Sequence, residues 1–183
     1  MQIRDTGLPG LRILSPKVHQ DHRGFFLETF RKEFFQSLDE PVHFVQDNHA
    51  RSEEAGVLRG LHYQAPPAAQ TKLVWVSRGA AFDVVVDLRR SSPSYGKSYG
   101  LVLTPDNFLR LLIPKGFAHG YMTLKPGTEF HYKVDQYYSP EHEGGLRWND
   151  PMLEIDWPEL EPIMTERDKN WPLLADMSAI FSL

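Results

Sequence analysis

Short stretches of apolar or alternating residues, broken by glycine, proline and serine, set the rhythm of this chain. Residues 11–18 (LRILSPKV) predict a first strand, and 25–30 (FFLETF) another after the polar, turn-like 19–24. Residues 31–38 allow one or two helical turns with Phe34, Phe35 and Leu38 as the apolar side. Residues 42–49 alternate apolar and polar, which predicts a strand with one wet face. The stretch 57–87 predicts three strands. The first, over 58–64, is broken by Pro66 and Pro67; the second starts at Lys72; Arg78-Gly79 turns into the third, over 80–88. Residues 98–103 and 109–113 predict two more. Residues 114–120 (PKGFAHG) are a loop punctuated by glycine and proline, and 121–124 with 128–134 form a hairpin about Pro126-Gly127. Past Pro140 the pattern weakens. Pro151, Pro158, Pro162 and Pro172 predict an irregular tail with a helix only near 173–178.

Turns recur roughly every eight to twelve residues, and strands never alternate with long helices. That predicts an all-β fold in one domain over 1–183: an antiparallel jelly-roll barrel with a few short helices. It excludes a doubly wound fold, and no glycine-rich phosphate loop is present.

Composition narrows the function more than the fold. A hydrophobic content of 41%, with 12% aromatic, is enough for a real core. The net charge of −4, from 20 basic and 24 acidic residues, argues against nucleic acid or an anionic membrane as partner. A small anionic ligand needs only a few local cations and stays open. Cysteine is absent, which removes disulfides, thiolate chemistry and thiolate metal sites. No apolar run approaches the roughly 20 residues of a spanning helix, and MQIRDTGLPG has no apolar signal core. The expectation is a soluble, cytoplasmic protein.

Chemistry concentrates in the strands of 57–87. Strand side chains alternate, so His62 and Gln64 share one face, and Lys72, Val74 and Val76 share another. If those faces meet, a neutral base and an ammonium line one cavity, as proton removal beside a carbonyl requires. Each residue also has a plainer reading. His62 alone is a satisfied core or surface histidine, although Arg59 and Lys72 nearby favour its neutral form. Lys72 is an edge-strand gatekeeper or an oxyanion partner. His119, between Gly116 and Gly120, is aimed inward by its loop and raises the question of a metal. Metal-binding barrels carry His-x-His where His62-Tyr63-Gln64 stands, so no metal is expected. Tyr132 packs in the core or faces His62 as an acid. Tyr137, Tyr138 and Trp148 pack, or stack on a nucleobase. Asp168, in TERDK, belongs to a charge run that is normally solvated. Asp83 and Asp87 lie inside a strong apolar strand, and one of them is buried with a partner that the sequence leaves open.

Taken together, DHRGFF (21–26), VQDNH (45–49), LRGLHYQ (58–64), DVVVDLR (83–89), IPKGFAHG (113–120), Tyr132-Lys133, YYSP (137–140), WNDP (148–151) and RDKN (167–170) with Pro172-Leu173-Leu174 resemble the dTDP-4-dehydrorhamnose 3,5-epimerases. The motifs run in order from about 11 to 176. The resemblance implies a cupin-like jelly roll that forms a homodimer with exchanged N-terminal strands. It implies dTDP-4-dehydro-6-deoxy-D-glucose as substrate, inverted at C3 and C5 to dTDP-4-dehydro-L-rhamnose ahead of dTDP-L-rhamnose. By motif, His62 is the base, Asp168 its partner, Tyr132 the acid on the opposite face, and Lys72 the cation on the enolate oxygen. Arg23, Glu28, Gln46, Asn48, Arg59, His119, Glu143 and Arg167 fall on substrate-binding positions, and Tyr138 on the residue that stacks on thymine. Arg23 and Glu28 are expected to reach the other subunit's site. No cofactor or metal is implied. Three residues depart from the pattern: His131, where an apolar residue is expected, Tyr121 in place of Phe, and Arg167 in place of Lys. The other readings are an epimerase acting at C3 or C5 alone, a metal-dependent cupin enzyme, and a non-catalytic sugar-nucleotide binding cupin.

Overall fold

The computed structural model describes residues 1–181. Its strands, in chain order, begin with β1 (Gln2–Asp5), β2 (Arg12–Ser15), and the hairpin of β3 (Val18–Asp21) and β4 (Gly24–Leu27). A short helix, α1 (Lys32–Gln36), leads to β5 (Gln46–Ser52), β6 (Leu58–Gln64), β7 (Lys72–Arg78) and β8 (Ala81–Asp87). Then come β9 (Ser98–Leu103), β10 (Arg110–Ile113), β11 (Phe117–Thr123), β12 (Thr128–Val134) and β13 (Glu143–Gly145). The helix α2 (Glu166–Lys169) lies in the tail. One sheet runs β1-β2-β10-β7-β12-β5 and the other β13-β6-β11-β8-β9; every named pairing is antiparallel. This is the jelly-roll architecture that the strand pattern predicts. No helix among the described residues is long and apolar enough to cross a membrane.

The inner faces of the two sheets meet in a core that includes Ile13, Val74, Val76, Val85, Leu111, Ile113, Phe117 and Phe130. Removing this surface from water drives the sheets together. The outer face of the first sheet, with Leu14, Leu73 and Leu112, is capped by Phe35 of α1. The outer face of the second, with Leu61, Val84, Val86 and Ala118, is covered by Leu153, Leu174, Met177 and Phe181 of the tail. The proline-rich tail is therefore a cover for one sheet. Asp150 pins it by accepting from the Met152 amide at 2.9 Å and the Leu174 amide at 2.6 Å.

Several expectations need correction. The segments about Pro126-Gly127 do not form a hairpin: β11 lies between β6 and β8, and β12 between β7 and β5. The turn carries the chain from one sheet to the other. A local turn signal is the same in both cases, because a period of two does not say which strand is the partner. The loop expected over 114–120 is strand from Phe117 onward. The strand expected over 42–49 starts only at Gln46, because Val42 and Phe44 pack with Phe35 instead. The helix expected near 173–178 is one 3-10 turn, Leu174–Asp176. β1 was not foreseen; its residues are exposed and it is held by pairing to β2.

Candidate active site

The inner faces change character along the strands. On β7, Val74 and Val76 sit in the core while Lys72 borders a cavity; on β12, Phe130 and Tyr132 both reach it. The cavity has a lobe of about 490 Å³ and an adjoining one of about 320 Å³. His62, Lys72, Tyr132 and Glu143 border both. His62 comes from the second sheet, and Lys72 and Tyr132 from the first, so the two faces do meet. Lys72 is on an interior strand, which removes the gatekeeper reading.

A β-bulge sets the second wall. His119 pairs with His62, and Tyr121 with Arg59. Gly60 and Leu61 therefore lie opposite the single residue Gly120. Simple alternation would send Arg59 and His62, three apart, to opposite faces; the extra residue puts both into the cavity. Both glycines are required. Gly60 has φ +117°, and a Cβ there would lie 2.7 Å from the His119 carbonyl oxygen. A Cβ on Gly120 would lie 2.7 Å from the Arg59 carbonyl oxygen.

His62 Nε2 meets Asp168 Oδ1 at 2.7 Å. Asp168 is 4% exposed, so the reading of TERDK as a solvated run fails at this residue. α2 presents it because Thr165 caps the helix, its Oγ1 accepting from the Asp168 amide at 3.2 Å. Trp171 Nε1 donates to the same carboxylate at 3.3 Å, and the Trp171 ring meets the imidazole edge to face at 6.0 Å. Burial opposes ionisation of Asp168. The hydrogen bonds from His62, Trp171 and the Gly60 backbone outweigh it and hold the carboxyl below its usual range.

Lys72 has no carboxylate within ion-pair distance among the described residues. Burial pulls its ammonium down to about 8, against the attraction of Asp83 and Glu143. Burial pushes the Tyr132 phenol up, with Arg59 opposing. His119, buried, pairs through Nε2 with Asp83 Oδ2 at 2.8 Å. Asp83 and Asp87 are both fully buried: Asp87 binds Arg89, Ser92 and Ser94, away from the cavity, whereas Asp83 supports the His119 wall.

The smaller lobe is lined by Gln46, Asn48, Gln64 and Tyr138. Gln46 Nε2 donates to Asn48 Oδ1 at 2.9 Å, and the buried Asn48 Nδ2 has no partner among the described residues. Gln64 Oε1 accepts from the Ser139 amide at 2.9 Å and so holds the Tyr138 segment at the rim. Glu143 accepts from Tyr138 Oη at 2.9 Å and from Arg167 Nη1 at 2.7 Å. The hydrogen bond to Glu143 pushes the Tyr138 phenol up. Tyr138 is half exposed, while Trp148 packs against Trp157. Arg23 and Glu28 line neither lobe. Each pairs locally, Arg23 with Asp21 and Glu28 with Arg31.

Trp171 and the Thr165 cap join the site beyond the residues that the sequence motifs single out. The cap was legible, because Thr165 to Asp168 has the S/T-x-x-D/E spacing of a helix start.

A carboxylate-paired imidazole on one wall and a phenol on the other, within a jelly roll, suit an isomerase that works by moving protons. Residues 5–176 match the family model described as dTDP-4-dehydrorhamnose 3,5-epimerase. The protein of that name from Escherichia coli strain K12 is 49% identical over 172 residues, covering 93% of this chain and 92% of its own. The one from Shigella flexneri is 45% identical over 177 residues, covering 96% and 97%. The crystal structure of dTDP-6-deoxy-D-glucose-3,5-epimerase from Legionella pneumophila, in complex with dTDP-4-keto-L-rhamnose, superposes with a TM-score of 0.94 at 41% identity, over 100% of this chain and 98% of that one. The chain belongs to the dTDP-4-dehydrorhamnose 3,5-epimerase family, and it is an epimerase.

Proposed function

We propose that the protein inverts C3 and C5 of dTDP-4-dehydro-6-deoxy-D-glucose, giving dTDP-4-dehydro-L-rhamnose for dTDP-L-rhamnose synthesis. The observation that carries this reading is the His62–Asp168 pair facing the same cavity as Tyr132 from the opposite sheet. Both stereocentres flank the C4 ketone, so one carbonyl acidifies both C–H bonds. With the Nε2 proton directed to Asp168, His62 Nδ1 takes the proton from carbon. The C–H electrons form the enolate C=C bond, and the carbonyl pair moves to oxygen, where the Lys72 ammonium holds it. The Tyr132 phenol then delivers a proton to the opposite face of the same carbon as the ketone re-forms. His62 gives its proton to solvent and the phenolate regains one, which resets the pair for the second centre. The reaction is redox-neutral and needs no electron carrier. Asp168 orients the imidazole and stabilises its cation.

In this reading Arg59, His119, Glu143 and Arg167 hold the sugar and diphosphate, and Gln46, Asn48 and Tyr138 the nucleoside, with Tyr138 stacking on thymine. Arg23 and Glu28 act in the cavity of a second subunit. Among the described residues their hairpin pairs with no other strand, and it exposes Phe25 and Phe26, which suits a homodimer. A cytoplasmic location fits a cysteine-free chain.

The test is proton exchange followed by NMR with dTDP-4-dehydro-6-deoxyglucose in D2O, EDTA present. Deuterium should enter both carbons, and reduction should trap an L-sugar. His62→Ala should slow exchange at both centres by roughly 10²–10⁴-fold. Tyr132→Phe should impair inversion more than the first proton removal. Exchange at one carbon alone would mean a single-centre epimerase. Bound ligand without any exchange would sink the catalytic reading.

A further inference from the structure

His131 stands where the sequence resemblance leads one to expect an apolar residue, and the proposed reaction has no use for it. It follows Phe130 and precedes Tyr132 on β12, both of which reach the cavity, so it projects from the opposite, outer face. There it stands directly across from His49 of β5. The two rings lie 4.1 Å apart at 18°. Glu129, two residues back and on the same face, places Oε2 3.4 Å from His49 Nε2. One ligand atom from each of the three lies within 4.8 Å of the other two.

Supports surround this group. Ser77 Oγ meets His131 Nε2 at 2.7 Å, and Trp75 stacks on the imidazole at 5.4 Å and 9°. When Nε2 carries the proton, the Ser77 hydroxyl accepts it and Nδ1 keeps its lone pair for a cation. A hydrogen bond of this kind is what orients a metal-bound imidazole. Arg51, on the same strand as His49, is paired with Glu53 and does not claim Glu129. Arg110 lies over Trp75, and Arg78 stands across from Glu129 on β7, so both guanidinium groups oppose a cation here.

We infer that His49, Glu129 and His131 form a binding site for a divalent transition cation of the zinc class on the outer face of the first sheet, on the opposite side of that sheet from the epimerase cavity. Two imidazoles and one carboxylate suit zinc, nickel or copper, and are poor ligands for magnesium or calcium. Stacked rings hold their lone pairs side by side, so binding requires a turn of one ring. His49, with its side chain 53% exposed, is the ring free to make it. The cation would tie β5 to β12, the strands whose inward neighbours are Asn48 and Tyr132.

The test uses the full chain stripped with EDTA and titrated with zinc, by equilibrium dialysis and calorimetry. One zinc per chain is expected. His49→Gln and His131→Gln should each abolish saturable binding, while Ser77→Ala should weaken it by about 10–100-fold. His62→Gln should leave it intact. Copper should broaden the imidazole NMR signals of His49 and His131 in the unaltered protein, a readout that depends on no variant's folding. No saturable binding, binding that survives both outer-face variants, or binding lost in His62→Gln would each overturn the site.

Discussion

Burial acts in opposite senses on the two groups that the proposed reaction requires in protonated form. It strengthens the hold of Tyr132 on its proton and weakens that of Lys72, whose ammonium falls to about 8. If Lys72 holds the enolate oxygen, activity declines as pH rises through about 8, because the neutral amine cannot hold an oxyanion. Stability moves the other way. The folded protein binds the Lys72 proton less tightly than the unfolded chain, with its usual value of 10.5. Between about 8 and 10.5 the unfolded state carries more protons, so this residue's contribution to stability rises with pH. Urea denaturation across that range should show the rise in the unaltered protein and its loss in Lys72→Met. Lys72→Met should also remove the fall in rate near pH 8, leaving a slow, flatter profile. A Lys72→Met protein with near-normal exchange rates would exclude the residue from enolate stabilisation.

At the scale of elements, the site depends on how β6 meets β11. The bulge exists because Gly60 and Gly120 let two backbones approach more closely than any side chain allows. Gly120→Ala drives a methyl into the Arg59 carbonyl, and relief requires the strands to part or the register to reset. Either outcome moves Arg59 or His62 out of the cavity. The expected cost is about 1–3 kcal/mol of stability by urea denaturation, together with a loss of proton exchange. Retained activity with unchanged stability would show that the bulge has slack the geometry does not suggest. α2 is the second such element. It is a single helical turn, yet its Thr165 cap and the Asp168–His62 bond lock it to β6, and the Asp150 bonds hold down the tail that carries it.

At the scale of the whole molecule, the question is where Arg23 and Glu28 work. Neither borders the cavity of its own chain. In a homodimer with crossed hairpins, each site takes His62 from one chain and Arg23 from the other. Inactive His62→Ala and Arg23→Ala proteins, mixed and allowed to exchange subunits, should then regain activity. Random exchange makes half the dimers mixed, each with one complete site, so recovery should approach roughly a quarter of the unaltered rate. No recovery, with subunit exchange verified by mass, would place Arg23 at its own chain's site or outside catalysis.

The sequence by itself determined the strand content, because apolar alternation is a local property: 58–64 and 98–103 match β6 and β9 end to end. It also determined the chemical inventory. An imidazole, an ammonium, a phenol and a carboxylate are either present or absent, and the alternation within β7 correctly set Lys72 on the face of Val74 and Val76. Tertiary structure alone decided partnership. Which strand β12 pairs with depends on burial across the whole barrel, and so the turn at Pro126-Gly127 was misread as a hairpin. Arg59 shares a wall with His62 only through a bulge that needs Gly120, a residue on another strand and far along the chain from both. Asp168 sits in a charged run that is normally solvated, and only the folding of the tail against β6 buries it beside His62. Local pattern follows from backbone geometry and side-chain polarity, which each residue carries with it. The meeting of residues distant in the chain follows from which apolar faces must leave water together.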